Sequence, residues 1–184
     1  MVVKLTKMNK IFIEYFETKF GEFILGSFQE KICLCDWRYR KMRNTIDNRI
    51  LKGLNAEFIK QETEIIKETK AELLEYFSET RTQFSIPLIL VGTDFQKTVW
   101  NELLKIPYGK TESYLGLSIK LNNKKAIRAV ASANGANAIS ILIPCHRIIG
   151  NTGELVGYAG GISTKKRLLE LENKLFQTKI NFFE

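Results

Sequence analysis

The spacing of the apolar residues changes about one third of the way along this 184-residue chain, and the change limits the folds open to it. Before the change there are three short apolar-rich runs separated by tight breaks, namely Ile11 to Glu17, Glu22 to Phe28 and Lys31 to Trp37. This pattern predicts an antiparallel meander. After the change, Glu57 to Thr80 places apolar residues near one stripe with Lys and Glu between them, which predicts a long helix.

The segment Arg81 to Gly92 has no helical period and contains Pro87. It therefore predicts a crossing between two domains, 1–88 and 92–184. The first domain would hold a small antiparallel sheet and a helix, and the second would be mostly helical. The chain is accordingly expected to have an α+β fold.

Two short helices joined by a tight turn are predicted in the second domain. Thr93 and Gln96 have the spacing of a capping box and predict the start of an earlier helix there. Tyr114 belongs to the first helix of the pair, and Lys124 to Asn134 forms the second, whose alanines leave a slim surface. A slim, basic second helix is typical of a helix-turn-helix, although many core helix pairs show the same pattern.

A compact apolar run, Ile139 to Ile143, predicts a buried strand that ends at Pro144 and Cys145. Five glycines follow between Gly150 and Gly161 and predict a loop around Tyr158. Because Cys145 follows a proline that breaks the strand, we expect it in a turn rather than deep in a core.

Net charge separates the two halves of the chain. Residues 94–184 carry 13 basic and 7 acidic side chains, whereas residues 1–93 carry 15 and 13. No acidic side chain lies between Glu112 and Glu154, a stretch that holds five basic ones. This favours a polyanionic partner, although a solvated basic face would give the same pattern.

The sequence predicts no association with a membrane. It contains no run of roughly 18 apolar residues, the length that a spanning helix needs. Met1 to Lys10 lacks the apolar core of a secretory signal. Of three cysteines, at least one cannot form an internal disulfide, which favours a reducing compartment and a cytoplasmic location.

The only histidine in the chain, His146, lies beside Cys145. A thiolate is the reactive form of cysteine, and a nearby imidazole raises its population. Adjacent side chains point in different directions, so a water molecule would have to relay the proton between them. A carboxylate could then orient the far ring nitrogen, and Glu172 is our candidate. A packed cysteine beside a structural histidine is the alternative.

The other two cysteines are predicted to be core residues. Cys33 and Cys35 lie two apart on a predicted strand, so we expect them to share one face. With one histidine and no second cysteine pair, neither a zinc site nor another metal site is expected.

The run Ile141 to Ile149 resembles the active-site signature of the O6-alkylguanine-DNA alkyltransferases, also called methylated-DNA–protein-cysteine methyltransferases. Other blocks resemble this family in the same order. They are Gly92 to Gln96 with Val99 and Trp100, Ile106 to Gly109 with Ser113 and Tyr114, Ile127 to Val130, Gly157 to Gly161, and Lys165 to Glu172. The resemblance is strong from about Gly92 to Glu172 and weaker before that.

The resemblance implies DNA repair by direct reversal. The Cys145 thiolate would attack the alkyl carbon of O6-alkylguanine, or of O4-alkylthymine, in double-stranded DNA after base flipping. The thioether would be permanent, so each molecule would act once. The resemblance further implies a ribonuclease-H-like first domain, a monomer, no cofactor, and a nuclear location if the source is eukaryotic.

The resemblance also implies roles for particular residues. Arg128 would be inserted into the minor groove where the flipped base was, and Tyr114 would assist flipping and hydrogen-bond the leaving guanine. Arg147 would be structural or a phosphate contact. The implied catalytic residues are Cys145, His146, Glu172 and Tyr114. The implied DNA contacts are Thr93, Tyr114, Lys124, Lys125, Arg128, Ser132 and Gly135. The implied pocket residues are Asn137, Ile148, Gly157, Tyr158, Ala159 and Gly160.

Three other functions stay open at this point. A DNA-binding protein could mark lesions without chemistry, although such relatives carry a different residue at the position of Cys145. A Cys-His hydrolase would normally need a histidine distant in sequence and an oxyanion hole. A helix-turn-helix regulator would not need the glycine-rich pocket.

Overall fold

The structure, a computed structural model, describes residues 8–180, with side chains described as far as Asn173. Most of the segment Met1 to Lys10 and the last four residues of the predicted second domain lie outside the described residues. The strands are β1 (Asn9–Thr18), β2 (Gly21–Phe28), β3 (Lys31–Trp37), β4 (Ala56–Lys60), β5 (Glu112–Ser113) and β6 (Ile148–Ile149). The helices are α1 (Arg43–Leu54), α2 (Glu64–Phe77), α3 (Asp94–Leu103), α4 (Tyr114–Lys120), α5 (Ile127–Gly135) and α6 (Ile162–Ile180).

The fold is α+β, as predicted. The first sheet has the strand order β3-β2-β1-β4, and its first three strands form the predicted antiparallel meander. The prediction that the helix starts at Glu57 is wrong, because β4 lies in this segment and pairs parallel to β1. Its backbone pairing with β1 outweighs the helical spacing of its side chains. The long helix therefore begins at Glu64, and α1 was not predicted.

Cys33 and Cys35 are both buried, as predicted, but the prediction that they share one face is wrong. In the β2–β3 pairing, Gly26 opposes Leu34 and Ser27 opposes Ile32, which leaves Cys33 as an extra residue. Such a bulge reverses the alternation of side chains along the strand. Cys35 consequently packs in the core shared with the helices, and Cys33 packs on the other side of the sheet.

The helix-turn-helix pair is present, with a shorter second helix than predicted. Helix α3 begins with the expected capping box between Thr93 and Gln96. Lys124–Ala126 forms a 3-10 turn before α5, so only Ile127–Gly135 is α-helical. Trp100 of α3 donates its indole hydrogen to the Ala133 carbonyl at 2.8 Å, which fixes α3 against α5.

The apolar run Ile139 to Ile143 is buried, but it is a compact turn and not the predicted strand. The Ile143 amide donates to the Ile139 carbonyl at 2.9 Å, and Ile141 has φ of 73°. The run is apolar because it lies between the two halves of the chain. Cys35 of β3 exchanges backbone hydrogen bonds with Ala138 and Ser140, at 2.9 and 2.6 Å.

One hydrophobic core joins the first sheet to the helices of the second half. It includes Leu25 and Trp37 from the sheet, Tyr76 from α2, Trp100 from α3 and Leu168 from α6. This shared core holds the turn that carries Cys145 between the two halves. Across residues 8–180, no helix combines the length and the apolar character needed to cross a membrane.

Candidate active site

Cys145 is the first residue of a one-turn 3-10 helix, Cys145–Arg147, that follows Pro144. The predicted turn is therefore confirmed, but the expectation that Cys145 lies outside the core is wrong, because the residue is only 3% exposed and packs in the shared hydrophobic core. The Cys145 amide donates to the Ile143 carbonyl at 2.8 Å, and its carbonyl accepts from Asn134 Nδ2 at 3.4 Å. These bonds fix the backbone of the turn.

The side of this turn that carries Cys145 faces a cavity of about 600 Å³ between the two halves of the chain. The second half contributes Tyr114, Asn134, Asn137 and the loop Gly157 to Gly161. The first half contributes a wall that includes Phe20 to Glu22, Trp37 and Tyr39 to Met42.

Five of the six predicted pocket residues line this cavity; they are Asn137, Gly157, Tyr158, Ala159 and Gly160. A Cβ on Gly160 would lie 2.5 Å from the Trp37 ring, so a larger residue there would force the walls apart. The prediction that Ile148 lines the pocket is wrong, because this residue is fully buried in β6 and is not among the lining residues. Its backbone pairs with Glu112 of β5, and its side chain packs in the shared hydrophobic core.

Behind the cavity, Glu172 of α6 is fully buried and accepts hydrogen bonds from four residues. His146 Nε2 and the Tyr76 hydroxyl each donate to Oε1 at 2.8 Å. Arg147 donates from Nη2 to Oε1 at 2.9 Å, and the Gly109 amide donates to Oε2 at 3.1 Å. We call Tyr76, Gly109, His146, Arg147 and Glu172 the Glu172 cluster.

The electrostatics of the Glu172 cluster favour a neutral imidazole beside a carboxylate. Burial alone would raise the pKa of Glu172, but His146 and Arg147 outweigh it and lower this pKa to about 2. Burial lowers the pKa of His146 below its ordinary value, against the opposing effect of Glu172. Because Nε2 donates to Glu172, the other ring nitrogen is left as an acceptor that can take a proton.

That acceptor, His146 Nδ1, has no hydrogen-bond partner among the described residues. Burial raises the pKa of Cys145, while a hydrogen bond with Asn137 lowers it and Asp36 raises it further. The thiol therefore needs a proton acceptor before it can attack as a thiolate. No direct bond joins the Cys145 thiol and the imidazole within the described residues, so the proton would have to pass through an intermediate.

Arg147 is structural in this fold. It is 6% exposed, pairs with Glu172, and donates from Nη1 to the Ile106 carbonyl at 2.6 Å. Its charge is therefore directed inward. Arg147 does not contribute to a basic surface, although it lies in the stretch between Glu112 and Glu154 that has no acidic side chain.

Lys165 of α6 is a buried residue for which no role was predicted. Its Nζ donates to the carbonyls of Ile148 and Val156, the latter at 2.7 Å. Burial lowers the pKa of Lys165 to about 8. The lysine thereby connects Val156, which precedes the loop Gly157 to Gly161, to Ile148 of β6, next to the Cys145 turn.

Most of the predicted DNA contacts lie at the surface, although Tyr114 and Gly135 also line the cavity. Arg128 is the second residue of α5, and its side chain is exposed. The others that are exposed are Thr93, Lys124, Lys125, Ser132 and Gly135. Arg128, Lys124 and Lys125 form no ion pair with the side chains described up to Asn173, whereas the neighbouring Lys120 pairs with Glu112 at 2.7 Å. We call Lys124, Lys125 and Arg128 the α5 face.

Tyr114 and Asn134 connect the helix-turn-helix to the cavity. Tyr114 is the first residue of α4, and its phenol oxygen accepts from Asn134 Nδ2 at 3.5 Å. Burial raises the pKa of Tyr114. Asn134 was not predicted, although a polar residue four positions after buried Val130 marks the inner face of α5. Tyr76 was also missed, since nothing in its own helix indicates its partner.

Among the described residues, no group of three or more His, Cys, Asp or Glu side chains is placed to hold a metal ion. All three cysteines are free.

Comparison with known proteins identifies relatives of this arrangement. Residues 94–174 match the family described as 6-O-methylguanine DNA methyltransferase, DNA binding domain. A methylated-DNA–protein-cysteine methyltransferase of Methanosarcina acetivorans is 37% identical over 157 residues, which cover 85% of this chain and 95% of that protein. One of Mycobacterium tuberculosis is 47% identical over 113 residues, which cover 61% and 68%.

Two solved structures from Mycobacterium tuberculosis share the fold. The O6-methylguanine methyltransferase aligns with a TM-score of 0.78 at 32% identity, covering 95% of this chain and 99% of that one. The enzyme named OGT, in complex with DNA, aligns with a TM-score of 0.77 at 33% identity, covering 90% and 94%.

Proposed function

The chain belongs to the methylated-DNA–protein-cysteine methyltransferase family, and on this basis we propose that it repairs DNA by moving an alkyl group from O6-alkylguanine to its own Cys145. The observation that carries the proposal is the position of Cys145 in the wall of a cavity, beside a buried neutral imidazole that Glu172 orients. O4-alkylthymine is a second substrate.

The transfer is a single displacement. The Cys145 thiol gives its proton, through a water molecule, to His146 Nδ1. The thiolate then forms a bond to the alkyl carbon while the bond from that carbon to O6 breaks. Guanine leaves with the electron pair and takes up a proton, which the Tyr114 phenol can donate and later regain from solvent. Thiol and alkylguanine become thioether and guanine.

The thioether is stable, and no group in the cavity is suited to cleave it. Each molecule therefore acts once, and the name methyltransferase describes a stoichiometric reaction.

Access to Cys145 requires the damaged nucleotide to leave the duplex, which costs a few kcal/mol. We assign Arg128 to the space that the base vacates in the minor groove. Lys124, Lys125, Thr93 and Ser132 contact phosphates. Gly135 lets the DNA approach the end of α5.

The protein works as a monomer with two domains, 1–88 and 92–184, and needs no cofactor. Its location is the compartment that holds DNA under reducing conditions, which is the cytoplasm, or the nucleus in a eukaryote. The free state of all three described cysteines agrees with such a compartment.

The test is the mass of the intact protein after incubation with a duplex that carries one O6-methylguanine. We expect one added methyl group per molecule, limited to one equivalent and mapped to Cys145, and no addition to Cys145→Ala. Binding of the lesion without a mass change would support the damage-marking alternative. Neither binding nor a mass change would overturn the proposed function.

A further inference from the structure

Two arginines from the first half of the chain hold the segment that follows helix α5. Arg40 donates from Nη2 to the Gly135 carbonyl at 2.6 Å and from Nη1 to the Asn137 carbonyl at 2.9 Å. Arg49 donates to the carbonyl between them, that of Ala136, at 2.8 Å. Three successive carbonyls of the second half thus accept from arginines of the first.

Arg40 is itself held in one position. Its Nη1 donates to Asp36 Oδ2 at 2.6 Å, and its side chain is 4% exposed. Asp36 is fully buried at the end of β3, where it also accepts from Arg43 at 2.9 Å and from the Ser140 hydroxyl at 3.1 Å. The guanidinium therefore satisfies three acceptors in fixed directions.

These acceptors lie next to the reacting cysteine. Asn137 donates from Nδ2 to the Ile143 carbonyl at 3.1 Å, and the Cys145 amide donates to the same carbonyl at 2.8 Å. Gly135 ends α5, which carries Arg128. Arg40, Gly135, Asn137 and Cys145 all line the same cavity. Asn137 therefore links the Arg40 guanidinium to the backbone of the Cys145 turn.

We propose that Arg40 is a positioning residue for alkyl transfer, which holds Asn137 at the Cys145 turn and ties the end of α5 to the first half of the chain. The alkyl-transfer part of this inference rests on the proposed function. It also gives the first half a task in the reaction, because that half supplies the guanidinium and the carboxylate that holds it.

The shape of the guanidinium explains why arginine occupies this position. Its donors lie in a rigid plane, which suits acceptors in several fixed directions, whereas lysine offers a single nitrogen on a flexible stem. Carbonyls at the end of a helix lack partners within the helix, and a cation there interacts favourably with them. Arg40→Lys would keep the charge and lose the alignment.

The test compares Arg40→Lys with Arg43→Lys. Arg43 pairs with the same Asp36 but has no hydrogen bond to residues 135–137, so it is a matched control. We expect Arg40→Lys to lower the single-turnover rate constant for methyl transfer from saturating duplex by about tenfold to a hundredfold, as misalignment of a reacting group does. Arg43→Lys should stay within about twofold of the native protein, because the lysine keeps a positive charge beside Asp36 and the contacts of Arg40 to residues 135–137 remain.

A second readout does not depend on alkyl transfer. The rate at which iodoacetamide modifies Cys145, followed by peptide mass across a pH series, reports the ionisation of the thiol. Because Asn137 stabilises the thiolate, we expect the midpoint of this profile to move to higher pH in Arg40→Lys and to stay in place in Arg43→Lys. Urea denaturation of each variant separates this effect from a loss of folding.

The outcomes distinguish this inference from the proposed function. An unchanged rate constant and an unchanged iodoacetamide profile in folded Arg40→Lys would overturn the positioning role, even if the native protein transfers methyl groups. A shifted profile in a protein whose native form transfers none would support the alignment of Asn137 and overturn the proposed function.

Discussion

The Glu172 cluster and the α5 face carry charges in opposite ways. In the cluster, Glu172 and Arg147 are buried and paired with each other, and the carboxylate also orients His146. On the face, Lys124, Lys125 and Arg128 are exposed and form no ion pair within the described chain. Buried, paired charges act on neighbouring groups of the protein itself, whereas exposed basic side chains without an ion-pair partner can bind a polyanion.

This difference in burial predicts that the rate of alkyl transfer and the affinity for DNA depend on different charged residues. Salt screens exposed charges over a distance of about 10 Å at 0.1 M ionic strength, but it screens buried pairs much less. We therefore expect changes in the Glu172 cluster to alter stability and the rate of transfer, and changes on the α5 face to alter DNA binding. The following predictions test that separation, from the largest expected effect to the smallest.

Replacing Glu172 by Gln would have the largest effect. It leaves the buried charge of Arg147 without its partner, and breaking such a pair costs about 3–5 kcal/mol. We expect that loss in the free energy of unfolding, measured with urea, together with a fall in the transfer rate constant of about a hundredfold or more, because His146 loses its orientation.

Tyr76→Phe is the matched control for this change, since it removes one hydrogen bond to Glu172 and no charge. It should cost about 1 kcal/mol. An equal loss in both variants would show that charge pairing is not what the cluster supplies.

Acid should weaken the folded state through the same carboxylate. The folded pKa of Glu172, about 2, lies below its ordinary value of 4.5. Its contribution, on the order of 3 kcal/mol, is thus fully present above pH 4.5 and is lost as the pH falls through about 2. The lowered pKa of His146 acts in the same direction below its ordinary value of 6.5.

Urea denaturation at several pH values would check this dependence on pH. Glu172→Gln is the control and should lose less stability in acid than the native protein. Parallel curves for the two proteins would contradict the assignment of the lowered pKa to Glu172.

Arg128→Ala should weaken the interaction with duplex DNA and leave the Glu172 cluster unchanged. If Arg128 fills the space of the flipped base, its loss should weaken the complex with the flipped nucleotide and thereby lower the apparent rate of transfer from subsaturating duplex DNA by about tenfold to a hundredfold, equivalent to about 1.4–2.7 kcal/mol. Transfer from free O6-benzylguanine, which needs no flipping, and stability in urea should not change. A similar loss with the free base would place Arg128 in the chemistry.

The two lysines of the α5 face should contribute least. Lys124→Ala and Lys125→Ala should each weaken binding uniformly across sequences and reduce the slope of log affinity against log salt by about 1. Fluorescence anisotropy with undamaged duplex measures this slope. Lys120→Ala is the matched control, because Lys120 is already paired with Glu112, and it should change the slope less.

Much of this arrangement could be predicted from local pattern. Alternation and breaks locate the meander, the capping spacing locates the start of α3, and the neighbours of Cys145 indicate its reactivity. These features depend on residues close together in the sequence, so they can be read without knowledge of the fold.

The features that were missed depend on distant contacts. Strand β4 exists because it pairs with β1, and the turn at Ile141 exists because Cys35 binds its flanks. The bulge at Cys33 places two cysteines on opposite faces. The hydrogen bond from Arg40 to the Asn137 carbonyl joins residues 97 positions apart, so no local sequence pattern predicts it.

The most direct test of the separation is a salt series on the native protein. The affinity for duplex carrying O6-methylguanine and the single-turnover rate constant at saturating protein are measured on the same samples. We predict that affinity falls steeply with salt while the rate constant stays the same within about twofold, because the Glu172 cluster is buried. A rate constant that falls in parallel with affinity would contradict the account, since the chemistry would then depend on the exposed charges.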